Sequence, residues 1–215
     1  MNMFNKLPHY VYINKEKYFI NTDFRIFIDF EIEMQDKNKE NACLNALQKF
    51  YPAFLEIINS GLLSEAVDKF IWFYKCGKKD VEIKVSNKTN KNLRIYDYDF
   101  DSDLIWGAFY SQYRVDLSKA KIHWWKFRAM WNSLDSECQF SKVRSYRAYS
   151  GDDKDLLEKK ELYKLPPTQF EIDEQKRHQK IFEQLNNITS QKWKRCKNGS
   201  SRNINVWYKT RWKRI

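Results

Sequence analysis

The chain has 215 residues, of which 42% are hydrophobic and 17% aromatic, and a net charge of +11. Such a composition can bury one sizeable core and excludes an intrinsically disordered chain. No run approaches the roughly 18 apolar residues needed to span a bilayer, so no membrane partner is expected.

Only five glycines and four prolines are present, which favours long regular elements over a loop-rich sandwich or barrel. The expected fold is mainly α, a multi-helix domain over 1–167 with a short N-terminal β-hairpin, then a helix and a basic aromatic tail over 168–215. The opening MNMFNKLPHYVYINKEK lacks the apolar run and cleavage site of a signal peptide. The four cysteines, Cys43, Cys76, Cys138 and Cys196, are scattered, so free thiols in a reducing cytoplasm are expected.

Taken in chain order, YVYINKEKYFI (Tyr10–Ile20) alternates in part around a polar centre, as a hairpin does, although no Asn-Gly or Asp-Gly marks its turn. TDFRIFIDFEIEMQD fits either a strand, with alternating Phe24, Ile26, Ile28, Phe30, Ile32 and Met34, or a helix. Thr22 as N-cap and a shared face of Phe24, Phe27, Ile28 and Ile32 favour the helix. In NACLNALQKFYPAF the helical spacing of Cys43, Leu47, Phe50 and Phe54 is interrupted at Pro52. Asn59-Ser60-Gly61 is a stop signal. Ser64 can then cap a helix carrying Val67, Phe70, Ile71 and Tyr74, ended by Gly77. Lys78 to Asn92 is polar, with VEIKV (Val81–Val85) able to form a brief strand.

LIWGAFYSQY and KIHWWKFRAMWNSL predict two more helices, the second capped by Asp116 or Ser118. Its apolar residues occupy two faces, which places it in the core or at an interface. Trp106, Trp124, Trp125 and Trp131 can pack in a core or anchor a partner, and at least one of Trp124 and Trp125 is expected inside. Leu156–Leu165 reads as a charged helix ended by Pro166-Pro167. Thr168-Gln169-Phe170-Glu171 matches a capping box that opens a helix with a stripe of Ile181, Leu185 and Ile188. From Gln191 onward the chain reads as loop and a basic aromatic end.

The stretch YDYDFDSD (Tyr96–Asp103) alternates four aspartates. A helix-loop-helix calcium loop requires glycine at its sixth position and glutamate at its twelfth. Counting from Asp97 or from Asp99 supplies neither, so capping by Asp99 or Asp101 is the stronger expectation. His9, His123 and His178 lie in unrelated segments without metal-ligand spacing, and His123, beside two tryptophans, is expected to be a packed or hydrogen-bonded core histidine. No phosphate-cradling glycine loop, GxSxG or HExxH is present. The sequence therefore supplies no catalytic, cofactor or metal residue, and the expectation is a non-enzymatic protein.

Charge is uneven: residues 1–150 carry 23 Lys and Arg against 19 Asp and Glu, residues 151–215 carry 16 against 9, and Gln191 to Ile215 hold nine basic residues and no acid. Lys192, Lys194, Arg195, Arg202 and Arg211 interleave there with Trp193, Trp207 and Trp212. Cations suit phosphates and aromatics suit bases, as in single-stranded nucleic-acid binding. The same composition suits an acidic protein, an anionic membrane surface or a solubilising end.

The order YDYDFDSDLIWGAFYSQYRVDLSKAKIHWWKFRAMWNSL, followed by FSKVRSYRAY and LYKLPP, resembles a family of small proteins from phages of Gram-positive bacteria. The INTDFRIFIDFE and WFYKCGK runs fit the same pattern, and the resemblance spans roughly residues 8–167. Genes of that family lie in the tail module just before the tape-measure gene. The resemblance thus implies a tail assembly chaperone in the host cytoplasm, with the tape measure protein as partner and tail tube subunits as a further candidate. The motif residues it carries are Asp97, Phe100, Asp103, Phe109, Asp116, Leu117, His123, Trp124, Trp125 and Phe127. Arg114 stands where the family favours glycine, and residues 168–215 have no counterpart in it.

Overall fold

In the computed structural model, residues 6–35, 39–78 and 94–198 are described, with backbone alone for 39–40 and 188–198. The hairpin is present: β1 (Tyr10–Ile13) and β2 (Glu16–Phe19) pair antiparallel, Tyr10 facing Phe19 and Ile13 facing Glu16. Its turn residues, Asn14 and Lys15, have φ of 47° and 66°. Two left-handed residues are what a twist-matched two-residue turn needs, and here no glycine supplies them. Val11, Ile13 and Tyr18 are buried, while Tyr10, Tyr12 and Phe19 face out.

The ambiguous run is a helix, α1 (Phe24–Glu33), but its N-cap is Asp23 rather than Thr22, with the Asp23 carboxylate accepting from the Arg25 N–H at 3.0 Å. Thr22 is used differently, its carbonyl accepting from the Trp124 N–H. Pro52 separates α2 (Lys39–Phe50) from α3 (Phe54–Asn59) as expected. In α4 (Leu63–Tyr74) Ser64 lies inside the helix and caps nothing. Leu62 and Leu63 pack against the core and start the helix directly after Gly61, whose φ is 69°. The VEIKV segment lies outside the described residues.

Next come α5 (Ser102–Tyr113), α6 (Trp124–Asn132), α7 (Gln139–Ala148) and α8 (Lys154–Leu162). The N-cap of α6 is His123, not Asp116 or Ser118. Asp116 and Ser118 instead close a turn on each other, the Ser118 N–H and hydroxyl both donating to the Asp116 carboxylate. Asp153 caps α8, so that helix begins two residues before Leu156. Helix α7 had no counterpart among the sequence expectations; only Phe140, Val143 and Arg147 of its residues are buried, too few to produce a clear apolar period.

Aromatic rings fill the core. Phe27, fully buried, stacks on Trp124 at 4.8 Å and on Phe70 and Phe73 at 5.6 and 5.5 Å. Phe24, Phe127 and Phe109 form a second stack, with centroid spacings of 4.7 and 5.1 Å. Offset stacks of this kind add to the burial of large apolar surfaces. The chain divides into two units, Met1–Pro166 and Pro167–Ile215.

In the second unit a single long helix, α9 (Gln169–Asn198), is described. The capping box is formed as expected: the Glu171 N–H donates to the Thr168 hydroxyl at 3.2 Å and the Thr168 N–H to the Glu171 carboxylate at 2.7 Å. The helical backbone continues to Asn198, which corrects the expected loop from Gln191. Lys, Arg and Gln are good helix formers, and the first glycine after the capping box is Gly199.

Candidate partner-binding surface

Most motif residues shape the core. His123 Nδ1 accepts from the Trp125 N–H at 3.1 Å, so its Nε2 carries the proton and donates to the Pro8 carbonyl at 3.0 Å. Burial pushes its pKa down. The adjacent indoles of Trp124 and Trp125 donate to the carbonyls of Tyr74 and Phe73, at 2.9 and 2.8 Å. Those carbonyls end α4; the Phe73 carbonyl also accepts from the Cys76 N–H at 2.9 Å. His-Trp-Trp therefore opens one helix and closes another. Both tryptophans are buried, as is Trp131.

The aspartates divide their tasks. Asp97 accepts from the N–H groups of Asp99 and Phe100 at 2.9 and 3.0 Å and pairs with Arg94 at 2.6 Å. These donors together hold its carboxyl below the usual range against the opposing effect of burial. Asp101 occupies the N-cap position of α5, yet its side chain makes no capping bond. It binds Arg147 through two bonds of 2.6 and 2.9 Å. Arg147 also donates to the carbonyls of Tyr163 and Ile95, so one buried pair joins three stretches of chain. Composition gave no sign of this pairing, because its members are 46 residues apart.

Asp103 and Phe100 are exposed, Phe100 at 56%. They adjoin the outer face of α5, where Trp106 and Tyr110 remain 40% and 45% exposed. The two rings are stacked 4.9 Å apart and 9° from parallel. The Trp106 indole N–H donates to Asp116 at 3.0 Å, which fixes the ring. Bonds from the Ser118 hydroxyl and from Trp106 hold the Asp116 carboxyl down at about 2. Leu117 is partly buried, and its carbonyl receives the Arg25 guanidinium at 2.8 Å. Of the motif residues, then, Asp97, Phe109, Leu117, His123, Trp124, Trp125 and Phe127 build the fold; Asp116 orients a surface tryptophan; Phe100 and Asp103 face solvent. Trp106 and Tyr110, outside the motif set, complete the surface they flank.

A second feature lies between α1 and α4. Glu31 accepts from the Tyr74 and Tyr96 hydroxyls at 2.8 and 3.3 Å, with the Arg128 guanidinium 4.0 Å away. Burial raises the Glu31 carboxyl above its usual value despite these partners. Glu31, Tyr74 and Tyr96 border a cleft of about 560 Å³ with Phe30, Phe70 and Tyr98.

The C-terminal candidates are placed only in part. Lys192, Trp193, Lys194 and Arg195 lie on the backbone of α9; Arg202, Trp207, Arg211 and Trp212 lie outside the described residues. Among the described residues no helix is long and apolar enough to cross a membrane.

No curated protein and no solved structure matches this chain. A family model, however, matches residues 3–169, essentially the whole first unit, including the hairpin, the aromatic core, the aspartate stretch and the His-Trp-Trp clamp whose geometry is described above. The chain belongs to the Bacteriophage Gp15 protein family.

Proposed function

We propose that this phage protein is a tail assembly chaperone, binding the tape measure protein non-covalently and handing it to tail tube subunits in the host cytoplasm. A tape measure is a long helical protein whose apolar stripes need cover before the tube encloses them. The observation that carries this reading is the Trp106–Tyr110 stack, held rigid and half-exposed on α5. Large, preorganised aromatic rings are typical anchors of protein interfaces, because little side-chain freedom is lost when they are covered. Co-expression with the cognate tape measure protein tests the proposal: a soluble complex is expected, and an insoluble tape measure with nothing co-purifying would refute it.

A second reading rests on the nine basic residues, unaccompanied by acids, after Gln191. It makes the tail a binder of single-stranded nucleic acid. Truncation after Ile188 would then abolish binding, and the affinity of the full chain would fall steeply with salt. Equal affinity of full and truncated chains would remove this reading.

A further inference from the structure

The middle of α5 holds a residue that the fold itself does not require. Gly107 lies between Trp106 and Tyr110 in a twelve-residue helix, where glycine is a much poorer helix former than alanine. A Cβ placed on Gly107 would meet nothing within 4 Å, so no neighbour inside the molecule demands its absence. The backbone angle does not demand it either, since Gly107 is not among the left-handed glycines. What the missing side chain does provide is open space on α5, next in the helix to the Trp106–Tyr110 stack. A helix position without a side chain lets another backbone come close.

The surroundings say what kind of backbone. Asp103 lies one turn before Gly107 on the same face, and Asp99 lies just ahead of the helix; both are exposed. Neither carboxylate has an ion-pair partner among the described residues. Asp103 also lines a cleft of about 270 Å³ that has Phe100, Leu104 and Leu162 as its apolar members and Asp101, Arg147, Tyr163 and Lys164 as its polar ones; the Lys164 ammonium is engaged by Glu161 at 3.0 Å. Leu162 is 74% exposed. The aromatic stack, the open position at Gly107, the cleft and the two carboxylates thus follow one another along the start and middle of α5. Two carboxylates repel phosphate, which disfavours nucleic acid on this face.

We infer that α5 is the seat for an α-helix of a protein partner, which crosses it at Gly107, sets an apolar side chain between Phe100 and Leu162, and brings basic residues to Asp99 and Asp103. The inference rests on the chaperone reading for the partner's identity, the tape measure protein, while the chemistry of the seat stands on α5 itself.

The test uses the full chain and two probes, the cognate tape measure protein and a 20-residue helical peptide of leucine and lysine, with a leucine–glutamate peptide as control. The basic peptide is expected to bind more tightly than the acidic one, even though the chain is itself basic. Gly107→Ala is expected to raise the melting temperature by about 2–4 °C yet weaken both probes by about tenfold. Gly107→Leu and Asp103→Lys should weaken both further. A tape measure complex that tolerates Gly107→Leu and Asp103→Lys overturns the seat and leaves the chaperone reading intact. Failure of the tape measure to bind, with the basic peptide still captured and still sensitive to Gly107→Leu, overturns the chaperone reading and supports the seat. Binding of neither probe overturns both, as does tighter binding of the acidic peptide for the seat. Self-association of the wild-type chain that Gly107→Leu abolishes would identify a second copy as the occupant and also overturn the inference.

Discussion

Asp101 and Arg147 meet as a bidentate ion pair whose side chains are only 1% and 5% exposed. The pair draws the start of α5, the middle of the first unit's chain at Ile95 and the end of α8 at Tyr163 onto α7. Asp101 also receives the Asp97 N–H at 3.0 Å, so its charge is satisfied on more than one side.

Removing one partner leaves the other charged and dry. Arg147→Met or Asp101→Leu is expected to cost about 3–5 kcal/mol in urea unfolding. Asp101→Leu combined with Arg147→Met should cost much less than the two single changes added together, because no charge is then stranded. Simple additivity would show that the two residues do not act as a pair.

The protonation of His123 sets a pH dependence. Its folded pKa lies below the ordinary 6.5 because of burial, so the unfolded chain takes up a proton before the folded chain does. Stability is therefore full above about 6.5 and falls as pH drops from there toward the folded value. His123→Asn keeps a capping acceptor and should flatten this part of the stability–pH curve. An unchanged slope between pH 7 and 5 would exclude His123 as its source.

Arg114 ends α5 with φ of 55°, in the left-handed region that costs a side-chain-bearing residue about 1–2 kcal/mol. Glycine carries no such cost, though its unfolded chain is freer. Arg114→Gly is expected to stabilise the protein by about 0.5–1 kcal/mol in the same unfolding measurement. This is the position at which the chain departs from the glycine favoured in the resemblance noted above.

Two tryptophans should respond in opposite ways. Trp124→Ala opens a hole at the centre of the core and is expected to cost about 3–5 kcal/mol. Trp106→Ala removes a half-exposed ring and should cost about 1 kcal/mol, for the lost stack and indole bond. Partner capture should nevertheless fall sharply with Trp106→Ala, measured by co-purification at a temperature where both proteins are folded.

Much of the architecture was legible because local chemistry and global packing agree. Pro52, Gly61 and the Thr168–Glu171 box punctuate the chain where short-range rules place them. Errors arose where long-range contacts took over a local role. Thr22, Asp116 and Ser118 are good caps by type, yet Asp23 and His123 won because each faces the other across an antiparallel bridge. Asp101 forgoes capping because Arg147 offers a stronger, charge-assisted partner. The surface on α5 was hidden for a related reason: Trp106 and Trp124 look alike in sequence, and only the packing of α4 against α6 decides which is inside.

The bridge between Asp23 and His123 also governs how the molecule can assemble. The Phe24 N–H donates to the Ile122 carbonyl at 3.0 Å and the Trp124 N–H to the Thr22 carbonyl at 2.8 Å. Each of these bonds gives the first amide of one helix, which has no partner inside that helix, a carbonyl about a hundred residues distant. Closing so large a loop is entropically unfavourable and slow. On the ribosome, the first amide of α1 therefore stays with water until the residues just before α6 have been synthesised.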